Sequence, residues 1–338
     1  ARIVSNSNDC SKMLLFDGSD FSVSGDCGKT SKKIDLQGAQ VYGLMKSGKS
    51  YILSNEGRYF ASIWVKNESG EPFLALYDLE TGEKRELLLS TVNELLRFSD
   101  DGKHVYLLNE KEGLKVYRSE DLAEEKSYPE FTDTTTDFLL TEDEEYAVFN
   151  LFSGTATLYN LKSGKEIGSI PGQVLSIKRD GEEIILKGIQ NNTAFTWSNK
   201  KELKTVAMDE ACAQTPLSFD DVNIYNEKSG LLLMIRNNDT ERKAYVVDFN
   251  SGQLRMSFTP AVKNYNVNGN ISPDGKTIMI DQNYDAKNYY DSSMEKDYFS
   301  SAVYHVLSEE EVESEIEKIL AGRVLTEEEK EQIGISTK

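Results

Sequence analysis

The sequence is poor in the residues that build most catalytic and metal centres. It has two histidines and three cysteines among 338 residues, and it lacks the H-E-x-x-H, C-x-x-C and G-x-S-x-G patterns and a glycine-rich phosphate loop. A metal site of imidazole ligands needs more histidine than this chain has. His104 and His305 each fall in a predicted strand, where the pattern favours a structural role.

Positive charge and long apolar runs are also scarce. Lys and Arg total 38 against 57 Asp and Glu, which gives a net charge of −19. This balance repels nucleic acid and anionic membranes, so we expect no nucleic-acid partner and no direct membrane contact. No segment approaches the roughly 18 apolar residues of a membrane span. The excess of acid either keeps the chain soluble or forms a face that recruits a basic partner.

What the sequence does contain is a repeat that runs through nearly all of it. A polar turn, often Ser/Asn-x-Asp-Gly-Lys, leads into an apolar strand, and successive copies lie 37 to 49 residues apart. Propeller blades of four strands have a period of about 40–50 residues. The seven copies are Ser7–Leu14, Ser54–Ala61, Ser99–Tyr106, Thr141–Val148, Lys178–Ile185, Asn226–Leu233 and Ser272–Met279.

A second half of each repeat follows, with a strand that runs into a Gly-containing turn. Leu76–Glu83 and Leu158–Lys165 are the clearest copies, and glycine suits such turns because it takes positive φ at low cost. Here the sequence resembles the WD40-like propellers, whose blades often end a strand in Trp-Asp. Tyr77-Asp78 occupies that place, while the Gly-His that often opens such blades is missing. The resemblance implies a binding platform and specifies fold far more than function.

We therefore predict an all-β fold, a seven-bladed β-propeller of four-stranded antiparallel blades over residues 1–307. Residues 308–338 form a helical tail that packs on the propeller. Ser308 and Glu311 make a capping box, and Val312 begins an apolar helical face. Because only this tail follows the last predicted strand, we expect the ring to close without an outer strand donated by residues 1–6.

The end of the tail adds an expectation about the larger protein. Residues 319–329 are similar to tails that close some bacterial WD40-type signalling proteins, which often carry an effector or switch domain upstream. The chain starts at Ala1 without Met or an apolar leader, which we interpret as a mature or excised form.

Carboxylates are the only abundant candidates for chemistry. Asp100, Asp101, Asp143, Asp180 and Asp274 recur in the first turn of their repeats. Calcium binding there is one interpretation, since oxygen ligands suit that ion. Turn chemistry is the other, and it explains Asp at this place in every blade. We expect no cofactor and assign no catalytic or metal-binding residue.

A tyrosine-rich insertion in the last repeat is the candidate partner-contact loop. Rigid aromatic rings give large contact area with little loss of entropy, although such a loop also suits the covering of an open blade edge. Its aromatic residues are Tyr284, Tyr289, Tyr290, Tyr298 and Phe299.

The cysteines bear on the cellular compartment. If Gly18-Ser19 is a two-residue hairpin turn, opposed residues have numbers that sum to 37, and Cys10 faces Cys27 as a non-hydrogen-bonded pair. Its Cα separation of roughly 4.5 Å lies within the disulfide range. A Cys10–Cys27 disulfide would indicate a secreted or membrane-anchored ectodomain, and reduced thiols would indicate the cytoplasm. Cys212 stays single in either case.

The function that follows is non-enzymatic recognition of a protein or peptide, or sensing within a larger protein. The alternative is a propeller hydrolase or lyase, which would need carboxylates that converge on a divalent ion in the central channel.

Overall fold

Seven antiparallel sheets, each of which is one blade, follow one another along the chain in the computed structural model. It describes residues 2–6, 12–16, 20–25, 30–34, 40–41, 51–65, 70–91, 95–109, 111–129, 131, 135–213, 221–237, 242–259, 266–272, 274–284, 298–319 and 326. The chain is a seven-bladed β-propeller, as the repeat predicts.

Blades 1 to 3 occupy the N-terminal part of the chain. Blade 1 consists of β1 (Arg2–Asn6), β2 (Met13–Phe16), β3 (Phe21–Ser24) and β4 (Lys32–Lys33). Blade 2 consists of β5 (Gln40–Val41), β6 (Tyr51–Leu53), β7 (Tyr59–Val65), β8 (Pro72–Asp78) and β9 (Lys84–Leu88). Blade 3 consists of β10 (Leu95–Phe98), β11 (His104–Asn109), β12 (Gly113–Arg118) and β13 (Glu124–Tyr128).

Blades 4 to 6 are four-stranded throughout. Blade 4 consists of β14 (Thr135–Leu140), β15 (Tyr146–Leu151), β16 (Thr155–Asn160) and β17 (Lys165–Pro171). Blade 5 consists of β18 (Gln173–Asp180), β19 (Glu183–Gln190), β20 (Thr193–Ser198) and β21 (Lys204–Ala207). Blade 6 consists of β22 (Val222–Asn226), β23 (Leu231–Asn237), β24 (Arg242–Asp248) and β25 (Leu254–Phe258), and a single-turn helix, α1 (Glu210–Ala213), precedes it.

Blade 7 departs from this pattern. It consists of β26 (Asn266–Ile271), β27 (Thr277–Tyr284) and β28 (Tyr298–His305), and the helix α2 (Glu309–Ile319) follows. Two blades thus differ from the four-stranded prediction, because both β5 and β6 pair with β7 in blade 2, and the described part of blade 7 has three strands.

The ring closes without a strand exchange from the N-terminus. Residues 2–6 pair with β2 as the first strand of blade 1, and β1 contacts β27 and β28 across the junction with blade 7. The prediction that residues 1–6 are not the outer strand of the last blade is confirmed for residues 2–6.

Hydrophobic cores lie between the blades. Six of the seven junctions, from blades 1–2 through blades 6–7, each hold a cluster of buried side chains. Trp64 and Phe21 pack at the first of these junctions, with ring centroids 6.0 Å apart. The described side chains form no such cluster between blades 7 and 1. Since one blade cannot bury both faces alone, the ring is held together by its junctions.

The helical tail begins as its capping box predicts. Glu311 donates its backbone N–H to Ser308 Oγ at 3.2 Å, and Ser308 donates its backbone N–H to Glu311 Oε2 at 2.8 Å. Neither described helix is long and apolar enough to cross a membrane. Packing of residues 308–338 on the propeller stays a prediction.

Candidate recognition surfaces

The first turns of blades 3, 4 and 7 share one hydrogen-bonding scheme. In blade 3 the backbone N–H of His104 donates to Ser99 Oγ at 2.9 Å, and Asp101 Oδ1 accepts from Ser99 Oγ at 2.8 Å and from the Lys103 backbone at 3.0 Å. Blades 4 and 7 repeat this scheme with Thr141–Asp143 and Ser272–Asp274. These contacts, with the Lys103 side chain, outweigh burial and lower the pKa of Asp101 to about 2. The carboxylates complete the turn, as the turn-chemistry interpretation predicts, and calcium binding stays untested.

Several of these first turns contact the first turn of the neighbouring blade, and we call the set of first turns the turn belt. The Asn55 side chain of blade 2 donates to Asp100 of blade 3 at 3.2 Å, and Glu56 packs against Gly102 so closely that a Cβ would clash. Further along, Arg179 of blade 5 donates to Asp143 of blade 4 at 2.6 Å and also to Glu145. The belt uses charge to join neighbouring blades.

Glu144 in the belt occupies a backbone position that elsewhere requires glycine. Its φ is +55°, while Gly57, Gly102 and Gly275 take the equivalent place at +69°, +69° and +71°. A side chain in this left-handed region costs roughly 1–2 kcal/mol. The signal was visible in the aligned repeats, where five of the seven copies have glycine at the position of Glu144, but sequence reasoning missed it.

Three groups from blade 3 compensate for that backbone cost. The buried Glu144 carboxylate accepts from Tyr106 Oη at 2.6 Å and from Lys126 Nζ at 2.7 Å, and His104 Nδ1 lies 2.6 Å from it. Burial raises the pKa of Glu144, but the hydrogen bonds from Lys126 and Tyr106 and the charge of His104 outweigh it, so the pKa is lowered. Burial and Glu144 together raise the pKa of Tyr106. This polar cluster holds blades 3 and 4 together.

Charges on other strands are also paired from blade to blade. Arg97 of β10 donates to both carboxylate oxygens of Asp137 of β14, at 2.7 and 2.6 Å. Lys187 of β19 donates to Tyr225 Oη at 2.7 Å and Glu227 at 2.8 Å in blade 6. None of these pairs was predicted, because the pairing residues are 38 to 40 positions apart.

A charged pair is buried within blade 6. The Arg236 side chain is wholly inaccessible, and it donates to Asn223 Oδ1 at 2.9 Å and to Asp221 at 3.3 Å. Burial lowers the pKa of Arg236, and the charge of Asp221 opposes that effect. Its Nε has no hydrogen-bond partner among the described atoms. Asp221 therefore neutralises a cation that water cannot reach.

The helix α1 was not predicted from the sequence. Asp209 caps it by accepting the backbone N–H of Ala211 at 2.9 Å, and Cys212 lies buried within it. Burial and the charge of Asp209 raise the pKa of Cys212 to about 11. Cys212 is a free thiol, as predicted.

The predicted disulfide lies outside the described residues, which include neither Cys10 nor Cys27. The register on which it depends is present, because β2 pairs with β3 at Met13–Ser24, Leu14–Val23, Leu15–Ser22 and Phe16–Phe21. The hairpin alignment is thus confirmed, and the disulfide stays a prediction.

The tyrosine-rich insertion is shorter than the sequence suggests. Tyr284 ends β27, whereas Tyr298 and Phe299 begin β28, and Tyr284 pairs with Tyr298. Those three are strand residues and not loop residues, because the hairpin ladder continues into the insertion. Tyr289 and Tyr290 lie outside the described residues. A contact role for all five stays a prediction.

The last strand of blade 7 is exposed on one face. Val303 and Leu307 are 55% and 47% accessible. On the opposite face, Tyr304 stacks on Phe258 of blade 6 at a centroid distance of 3.9 Å. Blade 7 is thus anchored on blade 6 and carries exposed apolar side chains on its other face.

Within the described residues, no three His, Cys, Asp or Glu side chains form a group that could hold a metal ion. Asp137 of β14, a carboxylate of the first strand of its blade, pairs with Arg97.

Comparisons with known proteins add no family. No protein-family model matches the chain, and no curated protein matches it. One solved structure similar to it is a chain of the mitotic checkpoint complex crystal structure. That match has 14% identity and a TM-score of 0.49, and it covers 71% of this chain and 74% of the other. The fold assignment rests on the seven sheets themselves.

Proposed function

We propose that this propeller is a non-enzymatic recognition or sensor module whose partner is a protein or peptide. The observation that carries the proposal is the contrast between blade 7 and the other blades. Around the turn belt, charged groups such as Arg179 and Glu144 are used in contacts between blades. In blade 7, Val303 of β28 and Leu307 after it are exposed apolar side chains, and Tyr284 and Tyr298 pair in the hairpin that leads to them.

We further propose that the module belongs to a larger bacterial protein. The similarity of residues 319–329 to the tails of bacterial WD40-type signalling proteins supports this context, in which an effector domain would receive the signal. Its compartment follows the state of Cys10 and Cys27, extracytoplasmic if they are bonded and cytoplasmic otherwise.

Selection from a displayed random-peptide library tests the proposal. The purified full chain should enrich peptides with a shared pattern, and a synthetic peptide of that pattern should bind saturably in calorimetry. The same selection against the heat-unfolded chain is the control. Failure to enrich any peptide above that control would contradict a peptide-recognition role.

The enzymatic alternative has a separate test. A hydrolase with a divalent ion in the channel should cleave ester or glycoside substrates and lose that activity in EDTA. We expect no turnover and no change in unfolding temperature with EDTA or added calcium. Turnover that EDTA abolishes would replace recognition with catalysis.

A further inference from the structure

Among the described strands, none pairs with the outer edge of β28. Val306 donates its backbone N–H to Lys276 O at 2.9 Å, so these residues form a hydrogen-bonded pair. Hydrogen-bonded and non-hydrogen-bonded pairs alternate in an antiparallel ladder. The N–H and C=O groups of residues 299, 301, 303 and 305 therefore point away from β27, where no described strand pairs with them.

This edge lacks the protection that the other blades have. Each terminal strand of blades 1 to 6 contains at least one Lys, Arg or Glu, and charged side chains discourage further strand pairing. The sequence of β28, YFSSAVYH, contains none. β28 is the third strand of its blade. In blades 3 to 6 the third strand pairs along its outer edge with a fourth strand.

The residues in and directly after β28 are apolar and acidic. Val303 is exposed on one face of β28, and Leu307, two residues after the strand, is also exposed. The helix α2 begins four residues after β28 and carries six Glu and one Lys, and the Glu310 and Glu313 side chains are exposed. Opposite charges favour a basic occupant, and the net charge of −19 adds to that preference.

We propose that β28 binds an extended basic segment of a partner protein as the fourth strand of blade 7. The backbone of the segment pairs with residues 299–305, alternate apolar side chains cover Val303, and its Lys or Arg side chains face α2. Main-chain pairing supplies affinity, and side-chain pattern supplies specificity. This assignment rests on the proposed recognition function and names its site and the chemistry of its ligand.

Fluorescence anisotropy with labelled peptides of about twelve residues, enough to span a strand, tests this on the full chain. The probe alternates Val with Lys, and a second peptide has Glu in place of Lys. We expect the basic peptide to bind and the acidic peptide to bind at least about tenfold more weakly. Binding should weaken as salt rises, because these charges are exposed.

Val303→Pro is the decisive variant. It removes an outward N–H and leaves the β27 ladder complete, as proline permits at an edge. Leu88→Pro is the matched control, since Leu88 is 62% exposed on the last strand of blade 2 and the neighbouring Leu89 N–H donates inward to Pro72. We expect Val303→Pro to weaken binding about tenfold or more and Leu88→Pro to leave it unchanged. Unfolding temperatures of both variants verify that they fold.

The charge component has its own variant. The double reversal Glu310→Lys with Glu313→Lys keeps the edge intact and should weaken the basic peptide while it strengthens the acidic one. Because neither residue lies in a strand, the circular dichroism spectrum of the propeller should not change. An unchanged preference for the basic peptide would contradict the role of α2.

Several results would overturn the assignment. If the peptide binds wild type and Val303→Pro equally well, its site is not the edge of β28. If it binds neither, the edge of β28 does not accept a further strand. Binding only after residues 320–338 are removed identifies the tail of this chain as the occupant. A dimer abolished by Val303→Pro identifies a second copy. If library selection succeeds while Val303→Pro has no effect, the recognition function stands and only this site fails.

Discussion

Tyr106 of blade 3 donates a hydrogen bond of 2.6 Å to the carboxylate of Glu144 in the first turn of blade 4. The contact explains why a side chain is retained where the equivalent turns have glycine. A strained backbone persists when surrounding contacts compensate for it. Variants of this pair therefore report how much the contact between blades 3 and 4 contributes to the stability of the ring.

Replacement of Glu144 should destabilise the ring even where it relieves strain. Glu144→Gly introduces the glycine that five other repeats have and removes a backbone cost of roughly 1–2 kcal/mol. It also leaves the buried Tyr106 hydroxyl without its acceptor, which costs about 1–3 kcal/mol. In addition it removes the ion pair with Lys126, whose side chain is exposed. We expect a net loss in the free energy of unfolding by urea. Glu142→Gly in the same turn, where the side chain is exposed, is the control, and a Glu144→Gly protein at least as stable as wild type would contradict the account.

The same carboxylate gives a pH dependence of defined sign. Because the folded pKa of Glu144 lies below the ordinary value of 4.5, the unfolded state binds more protons as pH falls. The contribution is complete above the unfolded pKa and is lost as pH falls through the folded pKa. The stability difference between the wild type and Glu144→Gln should narrow below about pH 4.5.

Because His104 Nδ1 lies 2.6 Å from the Glu144 carboxylate, both proteins should also carry His104→Gln, so that the comparison reports on the carboxylate. Urea unfolding at a series of pH values is the measurement. A stability difference between the two proteins that grows as pH falls would have the opposite sign, and it would refute a lowered pKa for Glu144.

Loss of the Asp221 carboxylate alone should destabilise the protein more than replacement of both Asp221 and its partner Arg236. Asp221→Asn leaves the Arg236 guanidinium buried without a counter-charge, and breaking a buried pair in this way costs about 3–5 kcal/mol. Replacement of both, by Arg236→Met with Asp221→Asn, should recover part of that loss, since a neutral pair has no charge to solvate. Thermal unfolding of the single and double variants checks this. A double variant less stable than Asp221→Asn would contradict it.

The thiols should separate into two classes. Burial and a pKa of about 11 keep Cys212 unreactive in the folded chain. Titration of the unreduced protein in denaturant should find one free thiol if Cys10 and Cys27 are bonded, and alkylation followed by mass analysis identifies it as Cys212. Three free thiols would rule out the disulfide and favour a cytoplasmic module.

The architecture was predictable because its signals are local and repeated. A polar turn such as Ser99–Lys103 fixes its own hydrogen bonds, and seven copies at a blade-sized spacing define the ring. The register of β2 and β3, in which the numbers of paired residues add to 37, likewise followed from one hairpin turn. The contacts between blades were not predictable in this way. Arg97 and Asp137 meet because blades 3 and 4 are adjacent, and nothing near either residue in the sequence indicates the other.

The candidate site was predicted only in outline. The sequence located a distinctive hairpin in the last blade from its tyrosines. It did not show that Tyr298 and Phe299 pair in β28, which depends on how far the ladder extends. The exposure of Val303 depends on the missing cover of a fourth strand among the described residues, and that is a property of the assembled ring.

Hydrogen–deuterium exchange of the full chain with and without the basic Val-Lys peptide tests the central claim most directly. The account predicts slower exchange in β28, concentrated at the outward amides of residues 299, 301, 303 and 305, with the turn belt unchanged. Protection confined to the turns or to other blades, with β28 exchanging as before, would contradict it.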